Sequence, residues 1–145
     1  MTIHPTALAD QLQAASADAV THLHALADLI GGPAVYEPVH PWLIEQFERI
    51  TFALTTGGAA RFCPHIGAAP RVVHAYAWAP GLLVCPGCTW LATPDAAEST
   101  TCDRCRRHVR LLWSRFIANG PVILGYALCR TCTTEVDGDP DARAV

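Results

Sequence analysis

The 145-residue chain contains no lysine, and all ten of its basic residues are arginine. No uninterrupted apolar run approaches the ~20 residues that a membrane-spanning helix needs. The N-terminus has no basic segment followed by an apolar one, as a signal peptide would. No membrane association and a cytoplasmic location are therefore the expectations. Absent too are the His-x-Glu and Pro-Cys-x-x-Cys pair of nucleobase deaminases and the His-Glu-x-x-His helix of metalloproteases. Charged residues make up only 16% of the chain and hydrophobic ones 51%, which excludes general disorder. So short a chain hides that much apolar surface with difficulty, so a protein partner or a second copy of the chain is expected to cover part of it. The arginine-only usage, with abundant alanine, makes a high-GC bacterial genome the expected source on composition alone.

What is present is cysteine, seven in all, confined to residues 63–132. They read Cys63-Pro64-His65, Cys85-Pro86-Gly87-Cys88, Cys102-Asp103-Arg104-Cys105 and Cys129-Arg130-Thr131-Cys132. A Cys-x-x-Cys turn points two sulfurs at one metal while its backbone amides hydrogen-bond to them. Counting Cys63 and His65 as a Cys-x-His variant, four pairs supply eight ligands, enough for two tetrahedral zinc sites. Without a secretion signal, closely spaced cysteines favour metal over disulfides. Iron also suits four thiolates and is the less favoured ion.

Charge is unevenly placed. Residues 1–62 carry six acids and two arginines, net −4, while residues 63–133 carry three acids and seven arginines, net +4. Residues 134–145 carry four acids and one arginine, net −3. Metal-bound thiols are deprotonated, so two filled sites lower the middle segment from +4 to about +1. That weakens the case for non-specific nucleic-acid binding.

Periodicity predicts an α+β fold. Leu8, Leu12, Ala15, Ala19, Leu23, Leu26 and Ile30 make one helical stripe from Pro5 to the Gly31-Gly32-Pro33 stop. His22 and His24 lie two apart and face different sides of that helix. A second helix begins at Pro41, carries a stripe of Leu43, Phe47, Ile50 and Leu54, and ends at Gly57-Gly58. The expectation is an N-terminal helical hairpin over residues 1–60, packed on a small antiparallel β module over 61–133 built around two zinc sites. An acidic flexible tail covers 134–145. Within the β module, one hairpin runs from Arg71 through a Pro80-Gly81 turn to Val84. It alternates His74, Tyr76 and Trp78 against Val73, Ala75 and Ala77. The other turns at Asn119-Gly120. That register sets Cys129 opposite Arg110, near Cys105, and Cys85 opposite Tyr76, well short of Cys63.

The favoured pairing therefore joins Cys102, Cys105, Cys129 and Cys132 in one site and Cys63, His65, Cys85 and Cys88 in the other, with His74 and His108 as rival histidine ligands. Two alternatives stay open. One closes Cys85/Cys88 on Cys102/Cys105 and leaves Cys63/His65 to Cys129/Cys132. The other is an alternating, RING-like cross-brace. Over residues 61–133 the three Cys-x-x-Cys pairs resemble the zinc-ribbon and zinc-knuckle class of proteins. The chain departs from that class in its Cys-x-His first pair and in lacking a glycine after each second cysteine.

Complete sets of four ligands are those of closed structural sites, whereas catalytic zinc keeps a position for water. A thioredoxin-like role for Cys85 and Cys88 would want a helix at the pair, and a loop is expected there. The expectation is a non-enzymatic protein-binding adaptor or regulator of a larger assembly. A DNA- or RNA-binding zinc ribbon is the alternative, using Arg104, Arg106, Arg107, Arg110 and Arg115 with Trp113, Tyr76, Trp78 and Trp42 as contact residues.

Overall fold

The computed structural model describes residues 4–138. Helix α1 spans Pro5–Ile30 and α2 spans Pro41–Thr56. Both open on His-Pro. The His4 ring Nδ1 accepts from the Thr6 N–H at 3.4 Å, and the His40 Nδ1 from the Trp42 N–H at 3.1 Å. These rings satisfy amides that a helix start otherwise leaves unpaired, and the prolines supply the fixed first turn. Both helices stop on a left-handed glycine, Gly31 and Gly57.

Between and after the helices run β1 (Val35–Tyr36), β2 (Arg61–Phe62), β3 (Val73–Tyr76), β4 (Leu82–Val84), β5 (Trp113–Asn119) and β6 (Val122–Leu128). Short 3₁₀ turns cover Pro86–Ala92 and Glu98–Thr100, and a last helix, α3, covers Arg130–Asp137. The six strands form one sheet in the order β1-β5-β6-β3-β4-β2. It is mixed, not antiparallel as expected. The hairpins β3/β4 and β5/β6 are antiparallel, but they join through a parallel β3/β6 pairing, and β1 and β2 add to the edges in parallel.

Strand alternation decides where the helices go. Ile117 and Leu124 face one side of the sheet, in the main core with Leu43, Phe47, Ile50 and Ala53 of α2. Their chain neighbours Ala118 and Ile123 face the other side, in a core with Ala19 and Leu23 of α1. The helices thus lie on opposite faces of the sheet and do not form the expected hairpin. Full burial of a side chain such as Leu23, Ile117, Ile123 or Leu124 contributes roughly 1.5–3 kcal/mol. The stripe of α1 is buried at Ala15, Ala19 and Leu23 and half-buried at Leu26 and Ile30, while Leu8 and Leu12 are exposed. A 26-residue helix is about 39 Å long, longer than the strands it covers, so its first turns overhang the sheet.

Both hairpin registers differ from expectation. Asn119 pairs with Val122, so the second hairpin turns at Gly120-Pro121, with Gly120 at φ +58°, a conformation that glycine reaches without strain. This places Cys129 opposite Leu112 rather than Arg110. In the first hairpin His74 pairs with Val84, which places Cys85 opposite Val73 rather than Tyr76. The expected flexible tail is helical as far as Asp137. The Tyr126 hydroxyl donates to Asp137 Oδ1 at 2.7 Å, and Glu135 pairs with Arg104. The remainder of that tail, 139–145, lies outside the described residues.

Candidate metal centres

The eight sulfur and imidazole residues gather into two clusters, each with all its ligand atoms within 4.8 Å of one another. One holds Cys63, His65, Cys85 and Cys88, the other Cys102, Cys105, Cys129 and Cys132. The favoured sequence pairing is the one the fold makes, and the short-range and cross-brace pairings are not formed.

The first cluster depends on β2, a strand that the sequence did not reveal. Parallel pairing sets Arg61 beside Leu82 and Phe62 beside Leu83, and the Cys63 N–H continues the ladder to the Leu83 carbonyl at 3.2 Å. Cys63 therefore arrives beside Cys85, whose N–H donates to Cys63 Sγ at 3.3 Å. A tight turn, closed by the Ile66 N–H on the Cys63 carbonyl, brings His65 round. The Arg71 guanidinium holds that turn by donating to the His65 carbonyl at 2.7 Å. His65 Nδ1 then lies 3.6 Å from Cys85 Sγ and 3.3 Å from Cys88 Sγ. The residues following Cys85 form a 3₁₀ turn rather than the expected loop, yet both sulfurs of this pair point into the cluster. The rival histidines are elsewhere. His74 is buried with its ring edge-on to His22, and His108 Nδ1 hydrogen-bonds Thr100 Oγ1 at 3.0 Å.

The second cluster is placed by Asp103. Its N–H donates to the Ala127 carbonyl at 2.9 Å, and its Oδ2 accepts from the Ala127 N–H at 2.7 Å. This two-way clamp fixes the Cys102–Cys105 turn beside the end of β6, two residues before Cys129. The turn is closed by the Arg106 N–H on the Cys102 carbonyl and the Cys102 N–H on the Arg107 carbonyl, both 2.9 Å. Arg106, in the position after the second cysteine where ribbons place glycine, adopts φ +63°. Cys132 lies in the first turn of α3, one turn beyond Cys129.

The spacing fits a metal. Tetrahedral zinc with Zn–S near 2.3 Å separates two sulfurs by about 3.8 Å and a sulfur from an imidazole nitrogen by about 3.5 Å. Cys105 Sγ and Cys129 Sγ are 3.8 Å apart. The electrostatics fit as well. Burial opposes ionisation of Cys63, but the backbone N–H groups of Cys85 and His65 outweigh it and bring its thiol down to about 6. The Arg107 side chain, against burial, does the same for Cys105, also to about 6. Burial and neighbouring sulfurs push Cys88 up to about 11 and Cys132 up to about 12. Each cluster thus holds one sulfur poised to ionise and another that its neighbours keep protonated, until a cation between them reverses the balance.

The arginine and aromatic candidates do not form one surface. Arg106 pairs with Glu98 at 2.8 Å, Arg104 with Glu135, and the Arg107 Nε–H donates to Cys105 Sγ at 3.4 Å. Arg115 donates to the Ser114 carbonyl and packs beside Gly32, while Arg110 is exposed. Trp113 lies under the Arg130 guanidinium, 5.9 Å from ring centre to carbon. His74 and Tyr76 are buried, Tyr76 against Trp78 at 4.8 Å between centroids, and Trp78 is half-buried. Trp42, Trp78, Arg104 and Arg106 do meet, in a cleft of about 490 Å³ between α2 and the Cys102–Cys105 turn.

No protein-family model, curated protein or solved structure matches the chain. Among the described residues no helix is long and apolar enough to cross a membrane.

Proposed function

We propose that the chain is a non-enzymatic interaction module, locked in shape by two structural zinc ions, that docks on a protein partner. The observation that carries this reading is the completeness of both ligand sets. Each offers four sulfur or imidazole donors, three of them buried, and four is the number that closes a tetrahedral site. Zinc suits both the all-sulfur set and the mixed set, whereas iron is the ordinary guest only of the former. Pairing of Arg104 and Arg106 with carboxylates, and engagement of Arg107 by a ligand sulfur, favours a protein partner over nucleic acid. So does the exposure of Phe52, Trp90 and Leu111.

A tagged pull-down from native lysate, divided into nuclease-treated and untreated halves, tests this. A stoichiometric protein retained in both halves is the expected result. Loss of partners with nuclease, together with recovered DNA or RNA, would replace the adaptor by a nucleic-acid binder.

A further inference from the structure

Each cluster presents one of its ligands to solvent, and the two exposed ligands differ in chemistry. In the first cluster it is His65, with Cys63, Cys85 and Cys88 buried. In the second it is Cys105, with Cys102, Cys129 and Cys132 buried. An imidazole has no sulfur to oxidise, so only the second cluster offers a thiolate to a dissolved oxidant. Arg107 donates to the Cys105 sulfur, yet the residue remains exposed. Behind it, Cys129 Sγ is 3.8 Å away, close enough to close a disulfide after a small movement. An accessible thiolate with a second cysteine beside it is the arrangement that reversible oxidation requires. Resting on the two-zinc reading above, we propose that Cys105 is a modification site for hydroperoxides, and that its oxidation releases the zinc of the second cluster alone.

The Cys105 thiolate attacks one oxygen of the peroxide. An S–O bond forms, the O–O bond breaks and hydroxide leaves, so sulfur gives up two electrons and the peroxide takes them. The Cys129 thiolate then attacks the Cys105 sulfur: the S–S bond forms, the S–O bond breaks and a second hydroxide leaves. Two thiolates and one hydrogen peroxide give one disulfide and two hydroxides, which solvent protonates. The second cluster, left with two of its four ligands, no longer closes a tetrahedral site. Cys102, Cys129 and Cys132 share the main core with Phe47 of α2 and with Tyr126, whereas the first cluster sits in the smaller core. Oxidation therefore acts on the core that α2 covers and leaves the first cluster in place.

The test gives limiting hydrogen peroxide to the zinc-loaded full chain. A chromogenic chelator follows zinc release, and peptide mass mapping after alkylation locates the disulfide. Zinc is counted before the oxidant is added, and fewer than two ions per chain would contradict the two-zinc reading itself and the proposal with it. With both ions present, one should leave as a Cys105–Cys129 disulfide forms, and dithiothreitol with added zinc should restore it. Cys105→His gives the second cluster the exposed imidazole of the first, and should keep both ions through a peroxide dose that strips one from the parent. His65→Cys makes the converse exchange and should lose both. Release of both ions together from the parent, or a first disulfide between any other two cysteines, would overturn the proposal. So would a zinc-loaded Cys105→His that loses zinc as readily as the parent, or a zinc-loaded His65→Cys that loses only one ion. If Cys105→His fails to load, the parent's disulfide map and His65→Cys decide.

Discussion

Arg107 donates its Nε–H to Cys105 Sγ at 3.4 Å, setting a fixed cation against the solvent-exposed cysteine of the second cluster. An exposed thiolate is where a chelator or a proton enters, and the guanidinium stabilises the charge that the metal needs there. Arg107→Ala should release zinc from this site several-fold faster, and Arg107→Lys should fall between the two. Transfer of zinc to a chromogenic chelator measures the rates, and identical rates in all three proteins would remove Arg107 from the site.

The clusters differ in what they are attached to. Cys102, Cys129 and Cys132 belong to the main core with Phe47, Leu124 and Tyr126, whereas Cys63, Cys85 and Cys88 sit in a smaller core with Val84 and Ala92. Cys129→Ser should lose one zinc and cooperative melting together, because α2 and β6 share that core. Cys85→Ser should lose one zinc and melt lower but still cooperatively, and His22→Ala should melt within a few degrees of the parent. Calorimetry with zinc counting tests the order, and equal melting of Cys129→Ser and His22→Ala would refute the ligand assignment.

Sequence spacing made the ligands legible because each pair is local, two or three residues apart, and the helices legible through their stripes, prolines and glycines. The long-range pairings were not legible. Two-residue β2 has no alternation to detect, yet it brings Cys63 to Cys85, and the parallel β3/β6 contact joins segments some fifty residues apart. Nor does an apolar stripe say which face of a sheet it will cover, which is why α1 and α2 read as a hairpin. The register errors came from the turns. Gly120 leads its turn with proline after it, and the β3/β4 loop is longer than Pro80-Gly81 alone.

Arg106 occupies left-handed backbone at φ +63°, which costs a residue with a side chain about 1 kcal/mol relative to glycine. Its ion pair with Glu98 is exposed and offsets little of that. Arg106→Gly and Arg106→Ala both lose the ion pair, but only glycine relieves the backbone. The glycine variant should melt a few degrees above the alanine variant, and the reverse order would show that this turn is unstrained.

Burial first, and then His22 edge-on beside it, holds His74 down at about 4 against an ordinary 6.5. The unfolded chain therefore takes up a proton at this residue below 6.5 while the folded chain resists until about 4. Stability from neutral His74 is whole above pH 6.5 and declines as pH falls through that window. At pH 5.5 the loss is about 1 kcal/mol. His74→Leu should lower its melting temperature less than the parent between pH 7 and 5.5. Parallel declines in the two proteins would show that folding does not hold the His74 imidazole below its ordinary value.

X-ray absorption of the metal in the purified protein tests the central claim most directly, since it reports both the element and its neighbours. Two closed sites predict zinc, with a first shell that totals seven sulfurs and one nitrogen over two ions, at about 2.3 and 2.0 Å. A shell with oxygen in place of sulfur, or another element at the edge, would contradict two structural zinc centres.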